Sequence, residues 1–206
     1  MSDTCSHLTQ RYGRAAPRWS DKMRALGYFD AYLGFLADHN PKAVPGTKVV
    51  DIGAGTGAMA EAWVALHGQP GRLALLDPSE AMLAVAEGAL LRRNVTAESH
   101  VAGLEDARLG AFDVLLAAHV IEHFDDPLVA LQAMRAMARP GARLYLAVSK
   151  PHWCNIIIWL QWRHRTFRDA EITGMLRRAG FAVDARHSFP AGPPSRTSFG
   201  VVAHAV

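Results

Sequence analysis

The chain has little cysteine, and what it has is badly placed for chemistry. Cys5 and Cys154 are the only two among 206 residues. They match no zinc or dithiol spacing, so a disulfide framework and a cysteine metal site are excluded and two free thiols in a reducing cytosol are expected. No apolar run is long enough to cross a bilayer. The N-terminal MSDTCSHLTQRYGR is too polar for a secretory signal, so a soluble cytoplasmic protein is expected. Charge of one sign is also missing. Twenty-two Lys+Arg against 19 Asp+Glu leave +3, with no long basic run, so composition gives no case for nucleic acid. An Asn/Asp-Pro-Pro-aromatic motif, an internal repeat and a low-complexity tract are absent. What remains is half hydrophobic and one-fifth charged, enough for one folded core and too short for two ordinary domains.

The periodicity then divides the chain. Asp21 to Ala37 has Met23, Leu26, Phe29 or Asp30, Leu33 and Leu36 at helical spacing, and Asn40-Pro41 and Pro45-Gly46 close it. From residue 47 the pattern alternates. Strands are expected at 47–52, 72–76, 94–101, 112–118 and 143–148, and helices at 58–67, 79–91 and 127–138. Such alternation implies a parallel sheet with helices on both faces. After an irregular aromatic stretch at 150–167, a helix at 169–179 is followed by strands at 181–188 and 197–205. Only a Pro/Gly loop joins these two, too short for a helical crossover, so they should be antiparallel. The expected fold is therefore α/β, Rossmann-like and doubly wound, with a seven-stranded, mostly parallel sheet and an antiparallel last strand.

The most informative string is Val49-Val50-Asp51-Ile52-Gly53-Ala54-Gly55-Thr56-Gly57. It leaves a strand and opens a helix, the context of a nucleotide-type loop in which backbone N–H groups and a helix N-terminus meet the ligand. Asp77 ends the next strand, where a carboxylate accepts hydrogen bonds from ribose hydroxyls. Gly53-x-Gly55-x-x-Ala58 also fits a dinucleotide fingerprint, so a nicotinamide-dependent oxidoreductase stands as an alternative. The helical preface, the missing catalytic domain and the antiparallel pair at the end argue against it.

Five ordered blocks carry a resemblance. They are VVDIGAGTG at 49–57, LLDPSEAML at 75–83, FDVLLAAHVIEHFDDP at 112–127, ARPGARLYLAVS at 138–149 and LRRAGF at 176–181, and RYGRAAPRW at 11–19 adds to them. Over most of residues 9–190 the sequence resembles the class I S-adenosylmethionine-dependent methyltransferases, of the small-molecule type found in ubiquinone and menaquinone biosynthesis. The resemblance implies S-adenosylmethionine as cofactor and S-adenosylhomocysteine as product. It gives Asp51 the methionine amino group, directly or through water, and makes Gly53, Ala54, Gly55 and Gly57 the floor under methionine and ribose. Asp77 would hold the ribose, with Pro78 and Met82 near the adenine. Where the family has a Gly-Asp-Ala-like turn, this chain has Gly103-Leu104-Glu105-Asp106. The acidic contact there shifts to Glu105 or Asp106, or is made by the backbone at Leu104. His119 would line the wall between cofactor and acceptor. Tyr12 and Trp19 lie in a segment that folds over the cofactor in resembling enzymes, although both also suit core packing. A cover over residues 1–45 and a cofactor-binding domain over 46–206 follow.

Methyl transfer from a sulfonium needs orientation first, and a base when the acceptor carries a proton. His119 and His123 are the candidate catalytic residues. His119, Glu122 and His123 are able metal ligands, but no fourth is visible and no metal is expected. The acceptor side should be built from about 150–168, with Trp19, His152 and Trp153 contacting a small, apolar or aromatic acceptor. Residues 150–165 also read as a peripheral membrane contact, a packed cover or a dimer contact. A monomer or homodimer is expected, without nucleic acid. A cofactor-binding partner protein that has lost catalysis is the remaining alternative.

Overall fold

Short apolar runs closed by glycine or polar turns become strands, and the longer amphipathic runs become helices. The computed structural model describes residues 19–39, 44–152 and 165–206. In chain order the elements are α1 (Tyr28–Asp38), β1 (Lys48–Ile52), α2 (Ala58–His67), β2 (Arg72–Asp77), α3 (Glu80–Leu91), β3 (Glu98–Val101) and β4 (Phe112–Ala118). A 3₁₀ turn at Ile121–His123 precedes α4 (Pro127–Ala136), β5 (Ala138–Ser149), α5 (Asp169–Arg178), β6 (Phe181–His187), α6 (Gly192–Thr197) and β7 (Ser198–Ala205).

The seven strands form one sheet in the order β3-β2-β1-β4-β5-β7-β6. The first five pair in parallel, and β7 runs antiparallel to both β5 and β6. Strand periodicity of two distributes the core. Val50, Ile52, Ala74 and Leu76 point into one cluster with Leu131 and Met134 of α4 and Ile172 and Leu176 of α5. Val49, Leu73 and Leu75 point to the other face, with Phe35 of α1, Trp63 of α2 and Leu83 of α3. Both faces are covered, which is why the central strands read as continuous apolar runs. The connection direction reverses between β1 and β4. The crevice outside their carboxyl ends is where open α/β sheets take ligands.

Local chemistry sets the helix starts. Ser79 caps α3, its hydroxyl accepting from Met82 N–H at 3.4 Å. Asp126 caps α4, its carboxylate accepting from Leu128 N–H at 2.9 Å, and Pro127 stands in the first turn, where its missing N–H costs nothing.

Three expectations need correction. The helix expected over 21–37 is two helical pieces. Residues 19–25 are helical, Gly27 takes φ +83°, and α1 starts afresh at Tyr28. The buried face of α1 is Phe29, Tyr32, Phe35 and Leu36, and Leu33 is only partly buried. The Pro/Gly loop before β7 folds as α6, with two prolines in its first turn. The fifth strand begins at Ala138, five residues before the expected start at Arg143. Its register against β4 shifts between Phe112 and Val114. That irregularity absorbs Pro140 and Gly141, which a regular ladder would not accept.

Candidate functional site

The glycine loop connects β1 to α2 and turns on positive φ values at Gly53 (62°), Gly55 (52°) and Gly57 (80°). Two of these glycines are forced by packing as well. A Cβ on Gly53 would stand 2.6 Å from Val120 Cγ2, and one on Gly57 would stand 2.7 Å from Ala86 Cβ. Gly55 differs. A Cβ there would meet nothing closer than the Gly53 carbonyl at 4.0 Å, so the loop presents open space above its middle glycine.

Asp77 closes that space from β2. Its Oδ2 accepts from Gly55 N–H at 2.8 Å and its Oδ1 from Ser79 N–H at 2.8 Å. Each oxygen retains a lone pair for a further donor. Burial raises the Asp77 carboxyl above its ordinary range, and the two N–H groups oppose the rise. Asp51, at 1% exposure, accepts from Ala60 N–H on Oδ2 at 2.9 Å. Burial pushes its pKa up to about 7, against the pull of that N–H and with help from the Asp77 charge. Two carboxylates therefore share one secluded, electronegative corner, which favours a cationic ligand group.

On the other side of the crevice, β4 ends and His119 adopts φ 58°, a left-handed backbone that non-glycine residues seldom take. Its Nδ1 lies 3.0 Å from Glu122 Oε1 and 3.1 Å from Ser149 Oγ, and its Nε2 lies 3.4 Å from Ser198 Oγ. Glu122 is buried and also accepts Ser149 N–H at 2.7 Å. The Tyr28 ring stands edge-on to His119 with centroids 5.9 Å apart, and its hydroxyl meets Thr197 Oγ1 at 3.2 Å. Thr197 donates to the Pro193 carbonyl at 2.9 Å, so Tyr28 is the donor in that pair. Tyr32, one turn along α1, is buried, and its hydroxyl is held well above the usual tyrosine range by burial and then by Tyr28, Glu122 and Asp51.

The structure thus brings Asp51, Gly53, Ala54, Gly55, Gly57 and Asp77 together, with Met82 buried and Pro78 exposed at the start of α3. His119 stands across the crevice. His123 ends the 3₁₀ turn on its exposed side, its N–H bonded to the Val120 carbonyl. Leu104 is buried in the core, and the neighbouring Glu105 is exposed. The two line a separate cleft of about 420 Å³ with Ala107, Arg108, Leu109 and Met137. Trp19 is half-buried, with the Lys22 amino group 5.9 Å from its ring centroid, and His152 is half-buried just beyond β5. Tyr12, Trp153, Cys5 and Cys154 lie outside the described residues. Among the described residues, no group of three His, Cys, Asp or Glu side chains is placed to hold a metal. None of the described helices is long and apolar enough to cross a membrane. Sequence reading missed Tyr28, Tyr32 and Ser198. The two tyrosines are four apart on one helical face, which was the available signal.

A family model described as a methyltransferase domain matches residues 15–186. The chain belongs to this family. It is a class I S-adenosylmethionine-dependent methyltransferase domain. A ubiquinone biosynthesis O-methyltransferase of Xanthomonas campestris is 31% identical over 108 residues, which are 51% of this chain and 44% of that protein. A ubiquinone/menaquinone biosynthesis C-methyltransferase of Burkholderia multivorans is 32% identical over 134 residues, 64% of this chain and 54% of that one. The chain spans about half the length of the curated relatives it matches. Among solved structures, the magnesium protoporphyrin IX methyltransferase of Synechocystis with bound S-adenosylmethionine matches with a TM-score of 0.72 at 16% identity, covering 100% of this chain and 99% of that one. A Haloferax volcanii structure, a complex of the Trm112 methyltransferase activator and a putative methyltransferase, gives 0.74 at 19% identity, covering 94% and 97%. These likenesses establish the fold.

The cofactor of the family is S-adenosylmethionine, and the residues of this methyltransferase domain fit it. The space over Gly55 admits a ligand against the loop backbone, the free lone pairs of Asp77 suit vicinal hydroxyls, and the Asp51–Asp77 corner suits an ammonium group.

Proposed function

We propose that this domain moves a methyl group from S-adenosylmethionine to a hydroxyl oxygen of a small, apolar or aromatic acceptor by in-line displacement. The observation that carries the reading is the pairing of His119 Nδ1 with Glu122 Oε1 at 3.0 Å. A carboxylate can only accept, so Nδ1 carries a proton and Nε2 is the nitrogen that serves as the base when the ring is neutral. Nε2 meets Ser198 Oγ at 3.4 Å, a long contact that an acceptor hydroxyl can displace.

The bound cofactor supplies a methyl group on a positively charged sulfur, already activated for displacement. The chain's own residues do the rest. Asp77 and the loop at 53–57 fix the cofactor. The acceptor is held in line, an orientation effect worth roughly 7–11 kcal/mol. His119 takes the hydroxyl proton on Nε2 while Glu122 steadies the imidazolium, a contribution of about 10²–10⁴ in rate. One relative is named an O-methyltransferase and another a C-methyltransferase, so similarity alone does not choose the atom, and the base favours oxygen. His123, on the exposed side of its turn, is left out of the reaction.

The same reading makes residues 1–45 a cover over the cofactor and 150–168 the acceptor side, where His152 joins Trp19 and Trp153. It places the protein in the cytoplasm. Residues 153–164 lie outside the described chain, so the proposed membrane contact through 150–165 stands on sequence.

The test is methyl transfer to a panel of phenols and catechols by wild type and His119→Gln. The variant should lose about 10²–10⁴-fold in kcat and keep its affinity for S-adenosylhomocysteine. A variant with unchanged kcat would remove His119 as the base.

A further inference from the structure

Residues 19–29 meet the first turn of α2, just after the glycine loop, through an ionic knot that the methyl-transfer reading does not use. Its centre is Glu61, in the first turn of α2 and 8% exposed. Glu61 Oε2 accepts from Arg24 Nη2 at 2.5 Å, and Oε1 accepts from Arg93 Nε at 3.0 Å. Both guanidinium groups also lie on the Phe29 ring, with their central carbons 4.2 Å (Arg24) and 5.6 Å (Arg93) from its centroid. The four residues come from four places: the helical stretch at 19–25, the start of α1, the first turn of α2 and the turn after α3. Ser20, Met23, Arg24 and Phe29 on one side and Thr56, Ala58 and Glu61 on the other line one small cleft. Thr56 belongs to the glycine loop itself, so this stretch of chain is seated against the loop and Glu61 pins it there.

The pin is asymmetric. Arg93 follows α3 and its side chain is 34% exposed, whereas the Arg24 side chain is 48% exposed and its stretch ends one turn later at Gly27, with φ +83°. A positive-φ glycine joins 19–25 to α1 without a rigid helical continuation, so 19–25 can swing while α1 stays packed through Phe35 and Leu36. Breaking the Arg24–Glu61 pair leaves Glu61 still neutralised by Arg93, so opening does not strand a buried charge.

We propose that Arg24 and Glu61 form a latch that holds residues 19–27 down on the glycine loop, and that its opening sets the rate at which the demethylated cofactor leaves. This rests on the cofactor reading above. Glu61 and Arg24 are positioning residues here, since they act on the cofactor through the segment they fasten.

The test is stopped-flow release of S-adenosylhomocysteine from wild type, Arg24→Met and Glu61→Gln, with amide hydrogen exchange of residues 20–27 measured alongside. The latch predicts release about tenfold faster in both variants, the loss of one charge-assisted hydrogen bond. Wild-type release should speed up with added salt and that of the variants should not, because the pair is half-exposed and screened. Amides 20–27 should exchange faster in Arg24→Met while those of α1 stay protected. Arg24 is on the surface, so that variant tests the idea even if Glu61→Gln fails to fold. Equal release rates in a folded Arg24→Met, or unchanged exchange at 20–27, would overturn the latch. A wild type that ignores S-adenosylhomocysteine would instead overturn the cofactor reading, and the exchange data would still decide whether Arg24 fastens the segment.

Discussion

Single residues make the sharpest demands. Gly53 has to be glycine twice over, by its φ of 62° and by Val120 Cγ2 at 2.6 Å from where a Cβ would stand. Gly53→Ala should lower stability by about 1–3 kcal/mol, the usual cost of an overpacked site, as read by chemical denaturation. Val120→Ala in the same chain should recover only the steric share, because the backbone strain remains. Asp51 makes a demand of another kind. Its carboxyl is raised from 3.8 to about 7, so its contribution to stability is full below the unfolded value and is lost as pH rises through 7. Asp51→Asn should therefore gain stability on wild type between about pH 4 and 7 and hold a constant advantage above 7, while losing affinity for S-adenosylhomocysteine. Wild-type binding near pH 7 should release a proton as the ligand's ammonium group ionises Asp51, seen as a binding enthalpy that changes with the buffer's ionisation heat. A buffer-independent enthalpy would show that the amino group is held elsewhere.

Among the elements, α1 does the most to join fold and site. Its first turn brings Tyr28 to His119 and Thr197, and its last brings Phe35 against Gly200, where a Cβ would lie 2.7 Å from the ring. Beyond Phe35 sits His187, 8% exposed, with Asp38 3.7 Å from Nδ1 and with the rings of Phe35, His39 and Phe189 around it. Burial and then His39 lower its pKa, and Asp38 only partly opposes them. A histidine depressed in this way contributes stability above its unfolded value of 6.5 and loses it as pH falls below that. The denaturation midpoint of the apo chain should fall between pH 7 and 5, and His187→Leu should flatten that fall. A midpoint that falls as steeply in the variant would move the acid sensitivity elsewhere. The helical preface was legible in the 21–37 periodicity. Its break was not, because one glycine is tolerated in a helical pattern and nothing local announces that Gly27 will take a positive φ. Helix α2, by contrast, runs over 58–67 as the sequence reads, because Gly57 and Gly68 bound it on both sides.

At the scale of the whole molecule, the doubly wound sheet places the loop after β1, the end of β2 and the end of β4 on one rim. The doubly wound, mostly parallel sheet and its antiparallel close were readable from the alternation of runs and from the short link before β7. So was the meeting of Asp51, the glycines and Asp77, since the glycine loop and the carboxylate that bonds Gly55 N–H follow consecutive strands. What was hidden depends on chain ends meeting in space. Ser198 reaches His119 from 79 residues away, Thr197 reaches Tyr28 from 169, and Glu61 gathers Arg24 and Arg93. No periodicity encodes those meetings. Burial also sets opposing pH limits, with His187 and His67 costing stability in acid and Asp51 and Asp77 costing it toward alkali. The central claim is that the rim binds an adenosyl amino acid through Asp77. Calorimetric titration of wild type and Asp77→Ala with S-adenosylhomocysteine, and of wild type with NADH, tests it most directly. The account predicts micromolar binding of S-adenosylhomocysteine to wild type, loss of at least about tenfold in the variant and no heat with NADH. Equal binding by Asp77→Ala, or binding of NADH in preference, would contradict it.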